Sequence, residues 1–423
     1  MTPPLPDLAR AFVHHAGSTD GAQRWFVPGR IELLGKHTDY GGGRSLLATV
    51  DRGFHVMARP RTDRTVRVLD ARSQAGYAGR LDPTLPHAPG QWMDYIITVL
   101  RRVARDWPDA GTGMDLVFAS TLPSASGLSS SSAFVIAILL PLLAFNRDAL
   151  PAAWHATIRD DDALAGYLGA MENGKAFGPF PADHGVGTHG GSQDQTAILR
   201  CRRDEIAQYR WLPVAAEARI PFPEGWELAV ASSAVPAAKA GAVKAHYNAL
   251  AAEHAALLDA WRRTEAPEAT SLLDLAASPR DVREAIARAA SGPAGDAVHL
   301  LRRLEQFREE CLELIPEVAA AFAGGEPTRA ARAIARSHQL AEEVLRNQVP
   351  ETMHLARSAV AAGAVAASAF GAGFGGSVWA LVEVARRDAM LRAWRDDYAA
   401  HFPARMGRAA FFSGRPAPGA GPA

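Results

Sequence analysis

Three glycine-bearing loops, at residues 28–42, 123–133 and 371–376, constrain this chain more than any other feature. Each demands a tight turn or a close backbone approach that few folds supply. The first reads Pro28-Gly-Arg-Ile-Glu-Leu-Leu-Gly-Lys-His-Thr-Asp-Tyr-Gly-Gly42, the second Pro123-Ser-Ala-Ser-Gly-Leu-Ser-Ser-Ser-Ser-Ala133, and the third Gly371-Ala-Gly-Phe-Gly-Gly376. Within the first, Gly29–His37 nearly spells a P-loop. Its glycines are separated by five residues rather than four, however, and His37 stands where a Ser or Thr would hold magnesium. The third matches the dinucleotide fingerprint letter for letter. An Ala-rich helical stretch precedes it and the strand-like Ser377–Val384 follows, the inverse of the strand-then-helix order that fingerprint needs. A nicotinamide-dependent oxidoreductase is therefore a poor reading. The second loop lies between a short apolar strand, Met114–Ala119, and an apolar helical run, Ala133–Phe145, which Pro141 is expected to kink or end. Backbone N–H groups at a helix N-terminus form an anion site, and serine hydroxyls can add hydrogen bonds or bind a cation. A serine-rich N-cap accounts for the same residues, and the residues alone leave both readings open.

Around these loops, Ser45–Ala58 and Thr65–Leu69 read as strands and Trp92–Trp107 as an amphipathic helix. A second unit opens with the strand at Glu227, followed by Ala-rich helices over Gly241–Trp261, Ser278–Ala290 and Ala297–Glu313. This predicts an α+β fold in two lobes, residues 1–212 and 213–413, with the site between them. The Pro/Gly/Ala tail at 414–423 is expected to be disordered. At 48% hydrophobic the 423 residues can build a full core. Lys+Arg and Asp+Glu number 45 each without a long run of like charge, so no nucleic-acid partner is expected. Cys201 and Cys311 cannot make a disulfide framework, and Met1-Thr-Pro-Pro-Leu-Pro lacks the marks of a signal peptide, which together predict a cytoplasmic protein. Ser358–Val382 is uncharged and long enough to span a bilayer, but its Ala, Gly and Ser content argues against a membrane partner.

In the first loop Arg30, Lys36, His37 and Asp39 crowd around tight turns. A sugar, with several hydroxyls, needs donors and acceptors held in this way on rigid backbone. Here the chain resembles the galactokinases of the GHMP kinase superfamily, whose three motifs read approximately PGR-x-N-L-I-G-E-H-T-D-Y-x-G-G, P-x-G-x-G-L-S-S-S-A and G-x-G-F-G-G. All three occur in order, across nearly the whole chain. The resemblance implies ATP-dependent phosphorylation of the anomeric hydroxyl of galactose or a close relative, with Mg2+ as cofactor; the sequence does not fix the oligomeric state, and a monomer is favoured. It implies catalytic roles for Arg30, which would stabilise the transferring phosphoryl, and for Asp194 in Gly190-Gly-Ser-Gln-Asp-Gln195, the base. Ser131 and Glu172 would be the magnesium ligands, and Ala125, Ser126, Gly127, Leu128, Ser129, Ser130 and Ser131 the phosphate cradle. Lys36, His37, Thr38, Asp39 and Tyr247 would contact the sugar. Side-chain chemistry agrees, because phosphoryl transfer asks mainly for positioning, charge neutralisation and a base.

The chain also departs from the family pattern. Lys36 stands where galactokinases have Glu, and Glu32, which could pair with it, stands where they have Asn. Ala125 replaces a glycine, and the stretch 174–189, with His184 and His189 expected to be loop residues, is longer than expected. Two alternatives follow: a kinase for a C6-carboxylate sugar such as galacturonate, drawn by Lys36, and a catalytically silent sugar-binding regulator on the same fold.

Overall fold

The computed structural model describes residues 5–123, 126–187, 190–236, 241–264, 269–278, 286 and 297–423. Ala125, His189 and all but two residues of the helix expected over Ser278–Ala290 lie outside them. Two sheets organise the molecule. The first runs β12-β1-β2-β5-β3-β4, with β6 on β2 and β7 on β6; the second runs β11-β8-β10-β9. Their strands are β1 (Gln23–Leu34), β2 (Arg44–Pro60), β3 (Thr65–Asp70), β4 (Gly76–Arg80), β5 (Met114–Ser120), β6 (Glu205–Arg210), β7 (Ala215–Pro221), β8 (Trp226–Ser232), β9 (Ala366–Phe370), β10 (Ser377–Glu383), β11 (Ala410–Gly414) and β12 (Gly421–Pro422). All pairings are antiparallel except β3 with β5. The β6–β7 hairpin belongs to the first sheet, so that sheet extends past the division expected at 212/213.

β1, unread as a strand from sequence, carries the first half of the first motif. Two register irregularities with β2 fall inside it, between Pro28 and Arg30 and between Glu32 and Leu34. Bulges bend a strand and re-aim its side chains, and these bracket the two charged residues that face the site. The helix Ser130–Phe145 is apolar all round and buried along most of its length. Such a helix belongs inside the core, and it contacts both β1 and β2. Pro141 does not end it. It sits within the helix, which continues to Phe145.

The second sheet is covered on both faces. Leu228, Val230, Trp379 and Leu381 point into the large core shared with the first sheet. Their neighbours Ala229, Ala231, Val378, Ala380 and Val382 pack with residues of the helices Pro350–Ala361 and Arg387–His401. That period-2 alternation is the pleat itself. The third glycine loop is the turn joining β9 to β10. A strand, not a helical stretch, immediately precedes it, because the helix stops at Ala361. A strand still follows, so the objection to a dinucleotide site stands.

The tail is ordered, contrary to expectation. Gly421 and Pro422 pair with Phe26 and Trp25 on the edge of β1, and Thr49 exchanges hydrogen bonds with buried Ala417. A Pro/Gly/Ala segment has few side chains to signal this. Its backbone pairs with an open sheet edge, and Arg415 anchors its start on Asp204 Oδ1 at 2.6 Å and on the carbonyls of Phe222, Pro223 and Trp226. Among the described residues no helix is long and apolar enough to cross a membrane. Ser358–Val382 resolves into a helix end, two strands and their turn. Cys201 and Cys311 are buried free thiols, each pushed up to about 12 by burial.

Candidate active site

β1 delivers Arg30 and Glu32, two residues apart and hence on one face, to a cavity also lined by His37, Asp39, Ser129–Ser132, Glu172, Gln193–Gln195 and Tyr247. Arg30 is almost fully buried and bridges two motifs. Its Nε and one terminal nitrogen donate to Asp194 Oδ1 at 2.7 Å, and the other donates to the carbonyl of Gly127 at 2.7 Å. Asp194 lies in the first turn of the helix Gln193–Arg200, where the helix dipole favours a carboxylate. Gly371 explains part of the third motif. With φ +77°, it lets the β9–β10 turn approach so closely that a Cβ would sit 3.0 Å from Gly127 O and 3.3 Å from an Arg30 nitrogen. Ser377 Oγ then donates to Ser126 O at 2.6 Å and ties that turn to the serine loop.

The serine loop opens the helix at Ser130, so its N–H groups face the cavity side where anions are stabilised. Ser129 takes a left-handed φ of 58°, and its buried hydroxyl has no hydrogen-bond partner among the described residues. A buried hydroxyl without a partner is costly. A bound anion would satisfy it. Leu128 is buried in the core and supplies only its carbonyl, which accepts from Arg30 N at 3.2 Å. Glu172 is 4% exposed, and its Oε2 accepts from Ser132 Oγ at 2.7 Å and from Gln195 Nε2 at 2.6 Å. The serine bonded to Glu172 is thus Ser132, one residue beyond Ser131, although both line the cavity.

At the other end, Asp39 Oδ2 accepts from the N–H groups of Gly191, 3.1 Å, and Gln193, 3.5 Å. Gly191 is glycine for that reason, since a Cβ would lie 2.4 Å from Asp39 Oδ2. Burial, and secondarily the charge of Asp194, raise the Asp39 carboxyl above its ordinary value. His37 Nε2 is 3.1 Å from the carbonyl of Ala372, which can only accept, so Nε2 carries the proton and Nδ1 accepts from Tyr40 Oη at 2.8 Å. Tyr247 stacks obliquely on His37 with ring centroids 5.4 Å apart.

Two expected sugar contacts do not reach the cavity. Lys36 is 1% exposed, and its Nζ donates to Ser337 Oγ at 3.2 Å. That hydroxyl donates onward to Glu310 Oε1, which also accepts from Gly35 N. Thr38 is fully buried, and its hydroxyl lies within hydrogen-bond reach of the carbonyls of Gly35 and Arg44, closing the turn before β2. The reason is geometric: the turn after Gly35, with positive φ at both Gly35 and His37, sends residues 36 and 38 inward to the protein and 37 and 39 toward the cavity. Glu32 and Lys36 form no ion pair; Glu32 Oε2 accepts instead from Gln193 Nε2 at 2.9 Å. Sequence reasoning missed Glu32, Gln193, Gln195 and Ser132 as cavity groups. The signal was present for the glutamines, which flank Asp194 on its helix.

The described part of the 174–189 stretch, residues 174–187, is partly packed against the protein. Phe177 and Phe180 lie against Tyr167, and Asp183 pairs with Arg101 and Arg105. His184 stacks on His87 at 4.2 Å. Backbone approaches closely here, since a Cβ on Gly174 would lie 2.6 Å from Asp183 O and one on Gly185 2.3 Å from Gly174 N, and Lys175 Nζ donates to Gly190 O at 2.9 Å.

Comparison with known proteins accords with this geometry. The galactokinase galactose-binding signature matches residues 10–60, the GHMP kinase N-terminal domain 94–178 and the GHMP kinase C-terminal domain 283–400. The galactokinase of Chloroflexus aurantiacus is 31% identical over 390 residues, covering 88% of this chain and 87% of its own. That of Chloroflexus aggregans is 30% identical over 383 residues, with the same coverage of each chain. In three dimensions the chain is similar to Lactococcus lactis galactokinase complexed with galactose, with a TM-score of 0.78 at 22% identity over 98% of each chain. Similarity extends more weakly to L. major mevalonate kinase, with a TM-score of 0.56 at 15% identity over 92% of this chain and 95% of that one. The chain belongs to the galactokinase family of the GHMP kinases, ATP-using enzymes that transfer a phosphoryl group to a sugar hydroxyl.

Proposed function

We propose that the protein phosphorylates the anomeric hydroxyl of galactose, with Asp194 as the base and Arg30 as the cation that offsets charge on the transferring phosphoryl group. The observation that carries the reading is the Arg30 bridge, a buried guanidinium held between the Asp194 carboxylate and the serine loop at Gly127. Asp194 takes the proton from the attacking hydroxyl, and Arg30 meets the negative charge that develops beside it. Ser126 to Ser131 cradle the nucleotide phosphates through N–H groups and hydroxyls, and Ser129 gains the partner it lacks. Ser131, Ser132 and Glu172 offer only oxygen as ligand atoms, the chemistry a hard divalent cation requires. Ser131 and Glu172, with Ser132 beside them, would hold Mg2+, which when bound neutralises phosphate charge. His37, Asp39 and Tyr247 contact the sugar.

A C6-carboxylate substrate is not favoured. Lys36, the residue that would attract it, is turned into the protein, while Glu32 and Asp39 line the cavity as carboxyl groups. A silent regulator has no use for the Arg30–Asp194 pair. The test is a coupled ADP-release assay over hexoses and uronic acids. Galactose turnover with none on galacturonate is the expected result, and the reverse would overturn the reading.

A further inference from the structure

We propose that Glu32 is a specificity-determining sugar contact, its Oε1 accepting a hydrogen bond from one hydroxyl of the bound hexose. The inference rests on the reading of this cavity as a galactose site and adds a residue to it. Glu32 is 1% exposed yet lines the cavity, on the same face of β1 as Arg30. Only half of its carboxyl is satisfied. Oε2 accepts from Gln193 Nε2 at 2.9 Å, whereas Oε1, equally buried, has no hydrogen-bond partner among the described residues.

A buried carboxylate oxygen left without a donor is costly, and a site that tolerates one is built for a donor that arrives with the ligand. The neighbours supply no alternative. Lys36 gives its ammonium to Ser337, Arg30 gives its donors to Asp194 and Gly127, and Gln193 is anchored from behind because its Oε1 accepts from Ser45 Oγ at 2.5 Å. Trp211 Nε1 donates to that same Ser45 hydroxyl at 3.0 Å, so the Glu32 carboxyl is held by a relay fixed in the core. Burial pushes Glu32 up to about 7, with Lys36 and then Arg30 opposing it, as befits a carboxyl short of one stabilising donor. The incoming donor is a neutral hydroxyl. A carboxylate on the ligand would meet Glu32 as a like charge.

The test is steady-state kinetics of the full chain on galactose and its 2-, 3-, 4- and 6-deoxy derivatives, for wild type, Glu32→Ala and Glu32→Gln. At about pH 8, where Glu32 is mostly ionised, a hydrogen bond to this charged acceptor corresponds to roughly 10- to 150-fold in affinity. Glu32→Ala is therefore expected to raise the galactose KM by about that factor, with kcat and the ATP KM changed less than about threefold. One deoxy sugar should show the loss already in wild type and no further loss in Glu32→Ala, which names the hydroxyl. Glu32→Gln, which keeps the shape, should give the same pattern at smaller amplitude, and it stands in should the alanine variant not fold. An unchanged galactose KM in both variants overturns the inference, as does an equal penalty on every deoxy sugar, the mark of a merely structural residue. Turnover of galactose by wild type with either of those outcomes overturns this inference alone. No turnover by wild type overturns the functional reading and this inference with it.

Discussion

At the phosphate end of the cavity the charged groups meet protein partners: Arg30 is held by Asp194 and Gly127, and Glu172 by Ser132 and Gln195. At the sugar end, carboxyl groups face the cavity while the Lys36 ammonium does not. Asp39 rests on two backbone N–H groups, Glu32 keeps an unpartnered oxygen, and Lys36 is buried toward Ser337 and Glu310. The contrast follows from what each end must do. A catalytic pair is pre-organised by fixing both members before substrate arrives, whereas a specificity site gains discrimination by leaving an acceptor that only the right hydroxyl completes.

The largest effect should come from the phosphate end. Asp194→Asn keeps the shape but cannot take a proton, so kcat should fall by about 10²- to 10⁴-fold, and because it removes the charge partner of the buried Arg30, thermal stability should fall as well. Turnover above a tenth of wild type would mean that another group is the base.

Next in size is Lys36→Glu. It places a carboxylate in a buried site that already holds Glu310, which should cost on the order of 3–5 kcal/mol in urea unfolding. Sugar preference should stay with galactose. A variant that kept wild-type stability and altered its sugar preference would show that Lys36 serves the cavity after all, and the contrast between the two ends would lose its basis.

Glu172→Gln and Ser131→Ala should each raise the magnesium concentration for half-maximal activity, by roughly tenfold or more. Ser132→Ala sharpens the comparison. It removes the hydroxyl that orients Glu172, and a shift larger than that of Ser131→Ala would make Ser132 the more important serine.

The smallest effect concerns pH. The Glu32 carboxyl titrates near 7 in the folded protein and near its ordinary value of 4.5 when unfolded, so the folded state holds a proton the unfolded chain has released in that window. Its contribution to stability is therefore present below about pH 4.5 and is lost as pH rises through about 7. Glu32→Gln should flatten the urea midpoint between pH 5 and 7.5, a difference on the order of 1–3 kcal/mol. Identical profiles for wild type and variant would remove the premise of an under-partnered carboxyl.

Much of this was legible beforehand. Ser45–Ala58, Trp92–Trp107 and Met114–Ala119 announce their elements through β-branched runs and helical spacing, and the structure has them as β2, the helix Met93–Asp106 and β5. β1 was hidden because Pro28 and Gly29, poor strand formers, fall at a register irregularity that tolerates them. β9 was hidden because Ala366–Phe370 is alanine-rich and reads as the end of the preceding helix.

By itself the sequence determined the family, the α+β class and the residue types the chemistry needs, since motifs record which groups must meet a phosphoryl group and a sugar. Only the tertiary structure decided which of them face the cavity. Within Lys36-His-Thr-Asp39, four adjacent polar residues are equal candidates in one dimension. Positive φ at Gly35 and His37 sends alternate members to opposite sides, so Lys36 and Thr38 build the turn while His37 and Asp39 face the cavity. The same holds for Glu32 and Ser132. Whether a carboxyl or a hydroxyl is satisfied depends on partners such as Gln193, Glu172 and Gln195, far away along the chain, and only folding brings them within 3 Å.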